Sequence, residues 1–273
     1  MPELPEVEVI RQGLRHRVVG RRIVSAKITA RRLTRRQGAP RRAAVALAGR
    51  TVRALRRRGK WLLFDLDGDE TLIVHLGMTG QLLWAESEAA LETDRHVHAR
   101  IRFSGGRMLA YRDIRKFGEI LLVPTADLEA RLSLGLEPLD SRFTGQALQT
   151  LCRSAVAIKS LLLDQRRIAG IGNIYADEAL FRARIRPTRA AASLTPVEIA
   201  GLRRAIRAVL RAGIRHRGSS ISDYRDAEGR RGAFAPLHRV YARAGRPCLV
   251  CGQPIVRILV GQRGTHFCPH CQP

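Results

Sequence analysis

The chain has 273 residues, with 49 Lys and Arg against 24 Asp and Glu, a net charge of +25. Its 45% hydrophobic content excludes a disordered polyelectrolyte, no run of about 18 apolar residues offers a membrane helix, and the acidic opening Met1-Pro2-Glu3-Leu4-Pro5-Glu6 lacks an apolar signal core. Such a charge favours a polyanionic partner, because Lys and Arg that neutralise phosphates release condensed counterions. Nucleic acid is the first expectation, ahead of an anionic membrane surface or a ribosome, and the location expected is the cytoplasm.

The spacing of Val9, Ile10, Leu14 and Val18, with Pro5 suited to a first turn, predicts a helix over 6–19. Short strands follow at 23–29, 61–65, 72–76, 99–103, 108–111 and 119–123. Gly-Asp, Gly-Gly and Thr-Gly pairs punctuate them, which predicts an antiparallel β-sandwich. From residue 124 the texture turns helical. Short helices are expected at 127–134 and 144–153, further helix within 156–186, and a long helix over 196–215. The long helix opens on Thr195-Pro196-Val197-Glu198, a capping box with proline in the first turn. Its apolar stripe is Ile199, Leu202, Ile206, Val209 and Leu210. A polar, Gly/Ser-rich stretch over 217–236 reads as a mobile loop.

Cysteine spacing defines the end of the chain. Cys248 and Cys251 form one Cys-x-x-Cys, and Cys268 and Cys271 another, with a hairpin expected between them. Its strands would be 255–260 and 265–267, and its turn 261–264. Two tight pairs suit one tetrahedral, structural Zn²⁺. The alternative, two disulfides, is disfavoured in a chain without a secretion signal. Four protein ligands leave no open position, so catalysis at this metal is not expected. Cys152 reads as a buried apolar residue. The basic residues comprise 45 Arg and only Lys27, Lys60, Lys116 and Lys159. Genome composition can produce that bias. It still singles out each lysine, since lysine can lose its proton when desolvated and arginine cannot.

Seven motifs, in order along the whole chain, carry a resemblance. They are Met1-Pro2-Glu3-Leu4-Pro5-Glu6-Val7-Glu8, Arg58-Gly59-Lys60-Trp61-Leu62, His75-Leu76-Gly77-Met78-Thr79-Gly80, Asp113-Ile114-Arg115-Lys116-Phe117-Gly118, Gly172-Asn173-Ile174-Tyr175-Ala176, Val240-Tyr241-Ala242-Arg243 and the four-Cys finger with Gln262-Arg263. Together they resemble the bacterial formamidopyrimidine-DNA glycosylase (8-oxoguanine DNA glycosylase/AP lyase) family. The resemblance implies an α+β multidomain fold: an N-terminal antiparallel β-sandwich with flanking helices, a helix-two-turn-helix domain and a C-terminal four-Cys zinc finger hairpin. Segments 1–124, 125–236 and 237–273 are the expected domains.

The implied activity is excision of oxidised purines from duplex DNA, followed by strand cleavage at the abasic site. Loss of Met1 would expose Pro2 as a secondary amine that titrates near neutrality and can attack the sugar C1′. Glu3 would be the general acid/base. Lys60, on a β-turn in the family, would assist elimination, and Arg263 would hold phosphate. Met78, Arg115 and Phe117 match residues that fill the space left by a flipped-out base. For Met78 and Phe117, core packing is the plainer reading of the residue types. Asn173 would offer a phosphate donor at a helix start. His75, His96, Lys159 and Tyr241 match further DNA contacts. Monomeric action is implied, on DNA holding oxidised bases or abasic sites.

Leu4 separates the chain from the endonuclease VIII branch, which has Gly there and prefers oxidised pyrimidines. Arg217 stands where the family has glycine before the lesion-capping loop, Gly218 to Tyr224, and no proline follows Asp113. A pyrimidine-type glycosylase and a non-catalytic zinc-containing DNA binder are therefore the rival readings.

Overall fold

The computed structural model describes residues 1–36, 38–87, 94–221 and 223–273; Ser222, in the expected loop, lies outside them. The chain forms two compact units, one of residues 1–133 with 216–233, the other of 134–215 with 234–273. These units cut across the three expected segments, because 216–233 returns to the N-terminal unit and the cysteine-rich end joins 134–215.

The first unit opens on α1 (Leu4–Val18). Glu3 caps it in extended conformation, and its amide donates to the Glu6 carboxylate at 2.8 Å. That cap starts the helix two residues before the apolar spacing begins. Val7, Ile10, Leu14 and Val18 are fully buried. They face a hairpin of β2 (Val52–Arg58) and β3 (Trp61–Leu66). Two antiparallel sheets complete the unit. One has the order β1 (Ile23–Ile28), β6 (Val97–Phe103), β7 (Met108–Asp113), β5 (Gly80–Ala85). The other runs β2, β3, β4 (Glu70–His75), β8 (Glu119–Pro124). Leu62, Phe64 and Val74 from one sheet share a core cluster with Ile101, Phe103 and Leu109 from the other, and with α1. This is the expected sandwich. β3, β4 and β8 also bury Leu63, Ile73 and Leu121 on the opposite face. Strands buried on both faces read as apolar runs rather than alternations.

Three elements had no counterpart in the expected set: α2 (Pro40–Leu47), β2 and β5. Four arginines in β2 hide its two apolar anchors, Val52 and Leu55. Only pairing with β3 makes it a strand. The unit also contains α3 (Leu128–Leu132).

Residues 217–236 hold no long element, yet their described part is tied down. Tyr224 and Ala227 enter the sandwich core. The Ser220 hydroxyl donates to the Tyr224 carbonyl and accepts from the Gly232 amide, both at 2.8 Å. Asp226 accepts the Glu228 and Arg230 amides. A sequence rich in Gly and Ser reads as a loop, but the packing of Tyr224 and Ala227 against distant residues does not show in it.

The second unit contains α4 (Gly145–Leu151), α5 (Ile158–Leu163), α6 (Asn173–Ala183) and α7 (Pro196–Arg215). The α7 capping box is formed: the Thr195 amide donates to Glu198 at 2.8 Å and the Glu198 amide to Thr195 Oγ1 at 3.3 Å. The predicted stripe from Ile199 to Leu210 is buried. Gly213 lets α6 and α7 approach, since a Cβ there would lie 2.5 Å from the Tyr175 ring. The unit ends in a hairpin, β9 (Val256–Val260) and β10 (Arg263–Phe267). Its turn is shorter than expected. Gly261 and Gln262 both have positive φ, as a two-residue type I′ turn requires, so Arg263 already pairs with Val260. No helix of the described residues is long and apolar enough to cross a membrane.

Candidate functional site

Pro2 and Glu3 are buried at the start of α1, while Met1 is 47% exposed. Glu6 holds this end in place. One carboxylate oxygen accepts the Glu3 amide and the other the Ser219 amide, each at 2.8 Å. Sequence reasoning missed Glu6, although its spacing three after Glu3 at a proline-marked helix start is a capping signal. Gly218 has φ +81°, and a Cβ there would lie 2.8 Å from Glu6 Oε1. Arg217 before it is also left-handed, with φ 56°.

Lys60 lies in a two-residue turn between β2 and β3, where Arg58 pairs with Trp61 and Gly59 carries φ 56°. The turn predicted for this lysine is therefore present, and Lys60 is 5% exposed. Its charge reaches His75 at the end of β4. Burial first, then Lys60, Arg35 and Arg36, push the His75 imidazole down to about 4. His75 Nδ1 accepts the Gly77 amide at 3.1 Å, which leaves the proton of the neutral ring on Nε2.

Two loops of the same unit bring Met78, Arg115 and Phe117 together. Asp113, fully buried and not singled out from sequence, builds the join. Its carboxylate accepts from Thr79 Oγ1 (2.5 Å), the Arg115 amide (3.2 Å), the Gly118 amide (2.9 Å) and Tyr111 Oη (3.2 Å). Gly77 has φ +61° and allows the loops to touch, as a Cβ would meet the Phe117 carbonyl carbon at 2.5 Å. Met78 is 44% exposed, so core packing does not account for it. Arg115 is exposed and its guanidinium lies 4.6 Å from the half-buried Phe117 ring. The His96 carbonyl accepts the Asp113 amide at 2.9 Å, beside the same loop.

In the second unit, Asn173 opens α6 and its Nδ2 donates to the Gly264 carbonyl at 2.8 Å. The helix start is thereby fixed next to Arg263, which is exposed at the beginning of β10. Lys159 corrects an expectation. The resemblance implies a DNA contact, but its side chain is wholly buried. Its ammonium meets Asp177 at 2.6 Å, Thr265 Oγ1 at 2.8 Å and the Gly264 carbonyl at 3.1 Å. Burying an ammonium demands such partners, and they leave it no surface for a phosphate. It positions the Arg263–Gly264 backbone instead. Tyr241 is half-buried against His238 and His266. Its amide, with those of Arg239 and Val240, donates to the buried Glu178 carboxylate, whose pKa burial raises.

The four Sγ atoms of Cys248, Cys251, Cys268 and Cys271 lie within 4.8 Å of one another. All are free thiols, so no disulfide joins them. A Zn–S bond of about 2.3 Å in a tetrahedron sets sulfurs about 3.8 Å apart. The observed Cys251–Cys268 and Cys248–Cys271 spacings of 3.4 and 4.0 Å fit one structural zinc. His266 turns to Asp177 and stays outside the set.

Residues 1–120 match the family described as Formamidopyrimidine-DNA glycosylase N-terminal domain, residues 134–225 the Formamidopyrimidine-DNA glycosylase H2TH domain, and residues 245–273 the zinc finger found in FPG and IleRS. The formamidopyrimidine-DNA glycosylase of Herpetosiphon aurantiacus is 46% identical, over 100% of both chains. The crystal structure of the MutM (Fpg) protein of Thermus thermophilus superposes with TM-score 0.88 at 43% identity, over 99% of this chain and 98% of that one. A Lactococcus lactis Fpg mutant in complex with DNA containing Fapy-dG gives TM-score 0.90 at 36% identity, over 99% of each chain.

Proposed function

Since this chain belongs to the formamidopyrimidine-DNA glycosylase family, we propose that it is a bifunctional DNA glycosylase/AP lyase. It excises oxidised purines, 8-oxoguanine and formamidopyrimidines, from duplex DNA and then cleaves the strand by β,δ-elimination. The observation that carries the reading is the buried Pro2–Glu3 pair, held at the start of α1 by Glu6.

Once Met1 is removed, the Pro2 nitrogen is a secondary amine at a helix N-terminus. An α-amine titrates near neutrality, so a lone pair is available for attack. Attack on C1′ forms the N–C1′ bond as the glycosidic bond breaks and the base leaves with a proton. The base takes the proton that the Pro2 nitrogen loses, and Glu3 is the acid that protonates the ring oxygen as the sugar opens to the iminium. The resulting iminium acidifies the adjacent sugar proton. Its loss expels the 3′ phosphate, and a second elimination expels the 5′ phosphate. Lys60 assists proton transfer in these steps.

Exposed Met78 and Arg115, with Phe117 beside them, suit the space a flipped base vacates. His75, His96, Asn173, Tyr241 and Arg263 contact the DNA backbone and lesion strand, and Arg263 aids the last elimination. The zinc fixes the hairpin that carries Arg263 and does no chemistry itself. The enzyme works in the cytoplasm on nucleoid DNA, as a monomer.

Borohydride trapping tests the reading directly. A covalent adduct should form with duplex containing 8-oxoguanine, and none with Pro2→Gly. An undiminished adduct with that variant would sink the mechanism, and no adduct with either protein would favour a mere binder. Faster turnover of oxidised pyrimidine than of 8-oxoguanine would favour the endonuclease VIII-like reading.

A further inference from the structure

We infer that the second unit carries a docking groove for an acidic, amphipathic peptide of another protein. The floor is apolar. Phe181, Val209, Phe234, Leu237, Leu249 and Val250 line an open cavity of about 590 Å³ among α6, α7, the 234–239 segment and the first cysteine turn. Leu237, Leu249 and Val250 are 46%, 55% and 64% exposed.

The rim fixes the chemistry of the occupant. Arg182 and Arg239 border the cavity and are exposed. Arg204, Arg211 and Arg215 are exposed on α7 and share the face of Ala208, which lines the groove. None of these five guanidinium groups has a carboxylate within ion-pair distance among the described residues. The lining holds one acidic residue, Glu178, and its carboxylate already accepts three backbone amides. Apolar side chains with carboxylates around them therefore complement the site, as in helix-in-groove recognition.

Duplex DNA is the poorer fit, because its phosphates offer nothing apolar to bury here. The groove also lies at the far end of α6 from Asn173. From Asn173 to Phe181 and Arg182 is about 12 Å along the helix axis. A peptide here would leave Asn173 uncovered, so the partner would be held while the enzyme works on DNA.

The test uses the full zinc-loaded protein and a fluorescein-labelled designed helical peptide with Leu and Phe on one face and Glu on the other. Saturable binding by anisotropy is expected. It should weaken at least about tenfold with Arg182→Glu/Arg211→Glu, and similarly with Leu237→Ser. All three substitutions are at exposed positions, and excision of 8-oxoguanine should persist in both variants. Three results would each overturn the inference: no saturable binding, equal binding of the same peptide with Lys in place of Glu, or displacement of the peptide by damaged duplex. The last would make the groove a DNA surface.

Discussion

Glu6 illustrates what single residues do here. It is 1% exposed, and both of its carboxylate oxygens are taken by backbone amides. Glu6→Gln keeps the shape but turns an NH₂ toward one of those donors. An unpaired buried N–H costs about 1–3 kcal/mol. The variant should melt several degrees lower and form the borohydride adduct more slowly; an unchanged trapping rate would show that Glu6 does not position Glu3. Lys159 makes a second case. Lys159→Met leaves the buried Asp177 charge facing an apolar side chain, a loss of about 3–5 kcal/mol. Lys159→Met/Asp177→Leu should recover part of that loss in urea unfolding. If Lys159 were instead a phosphate contact, the double variant would bind DNA as poorly as the single one and the single one would be as stable as the parent protein. Histidines give the pH dependence. His75 and His238 are both pushed from 6.5 down to about 4, mainly by burial. Between those values the unfolded chain takes up protons that the folded chain refuses. Stability is therefore intact above pH 6.5 and falls as the pH drops toward 4, by on the order of 2 kcal/mol per histidine at pH 5. His75→Gln should reduce the slope of melting temperature against pH across that window without abolishing it, because His238 and His98, whose pKa burial also lowers, keep their shares.

At the scale of elements, legibility followed the range of the forces involved. α7 could be read in full because its cap, proline and apolar stripe are all local. The cysteine pairs were equally clear, since metal geometry dictates their spacing. β2 was hidden, because four arginines outweigh two anchors until β3 pairs with it. The carboxylates of Glu6, Asp113 and Asp177 were hidden for the same reason. Their partners lie up to 213 positions away, as Ser219 does from Glu6, and no local pattern records such a bond. Lys159 was legible as unusual but not as buried, because its scarcity says nothing about its neighbours. The finger supplies an element-scale prediction. One zinc per chain should be found by atomic emission. Its removal with a chelator, or Cys268→Ser, should abolish DNA binding while the sandwich still unfolds cooperatively. Metal-free protein that binds DNA normally would show that the hairpin holds itself together.

For the whole molecule, the charge of +25 sets the response to salt. Each phosphate neutralised contributes a slope of about −0.9 to log K against log salt. Binding to abasic duplex should therefore weaken steeply and linearly on that plot. Arg263→Gln should reduce the slope by about one, whereas Lys159→Met should leave it unaltered. Light scattering should find one chain per particle. The division of the chain has a further consequence, which concerns biosynthesis. Glu6 leaves the ribosome early, but Ser219 and Tyr224, which hydrogen-bond to it, emerge only near the end. The Ser219 amide that completes the anchoring of Glu6 is therefore missing while most of the polypeptide is still being made. Under the proposed mechanism, that interval gives an aminopeptidase its access to Met1 and unveils the Pro2 amine before there is a finished enzyme to use it.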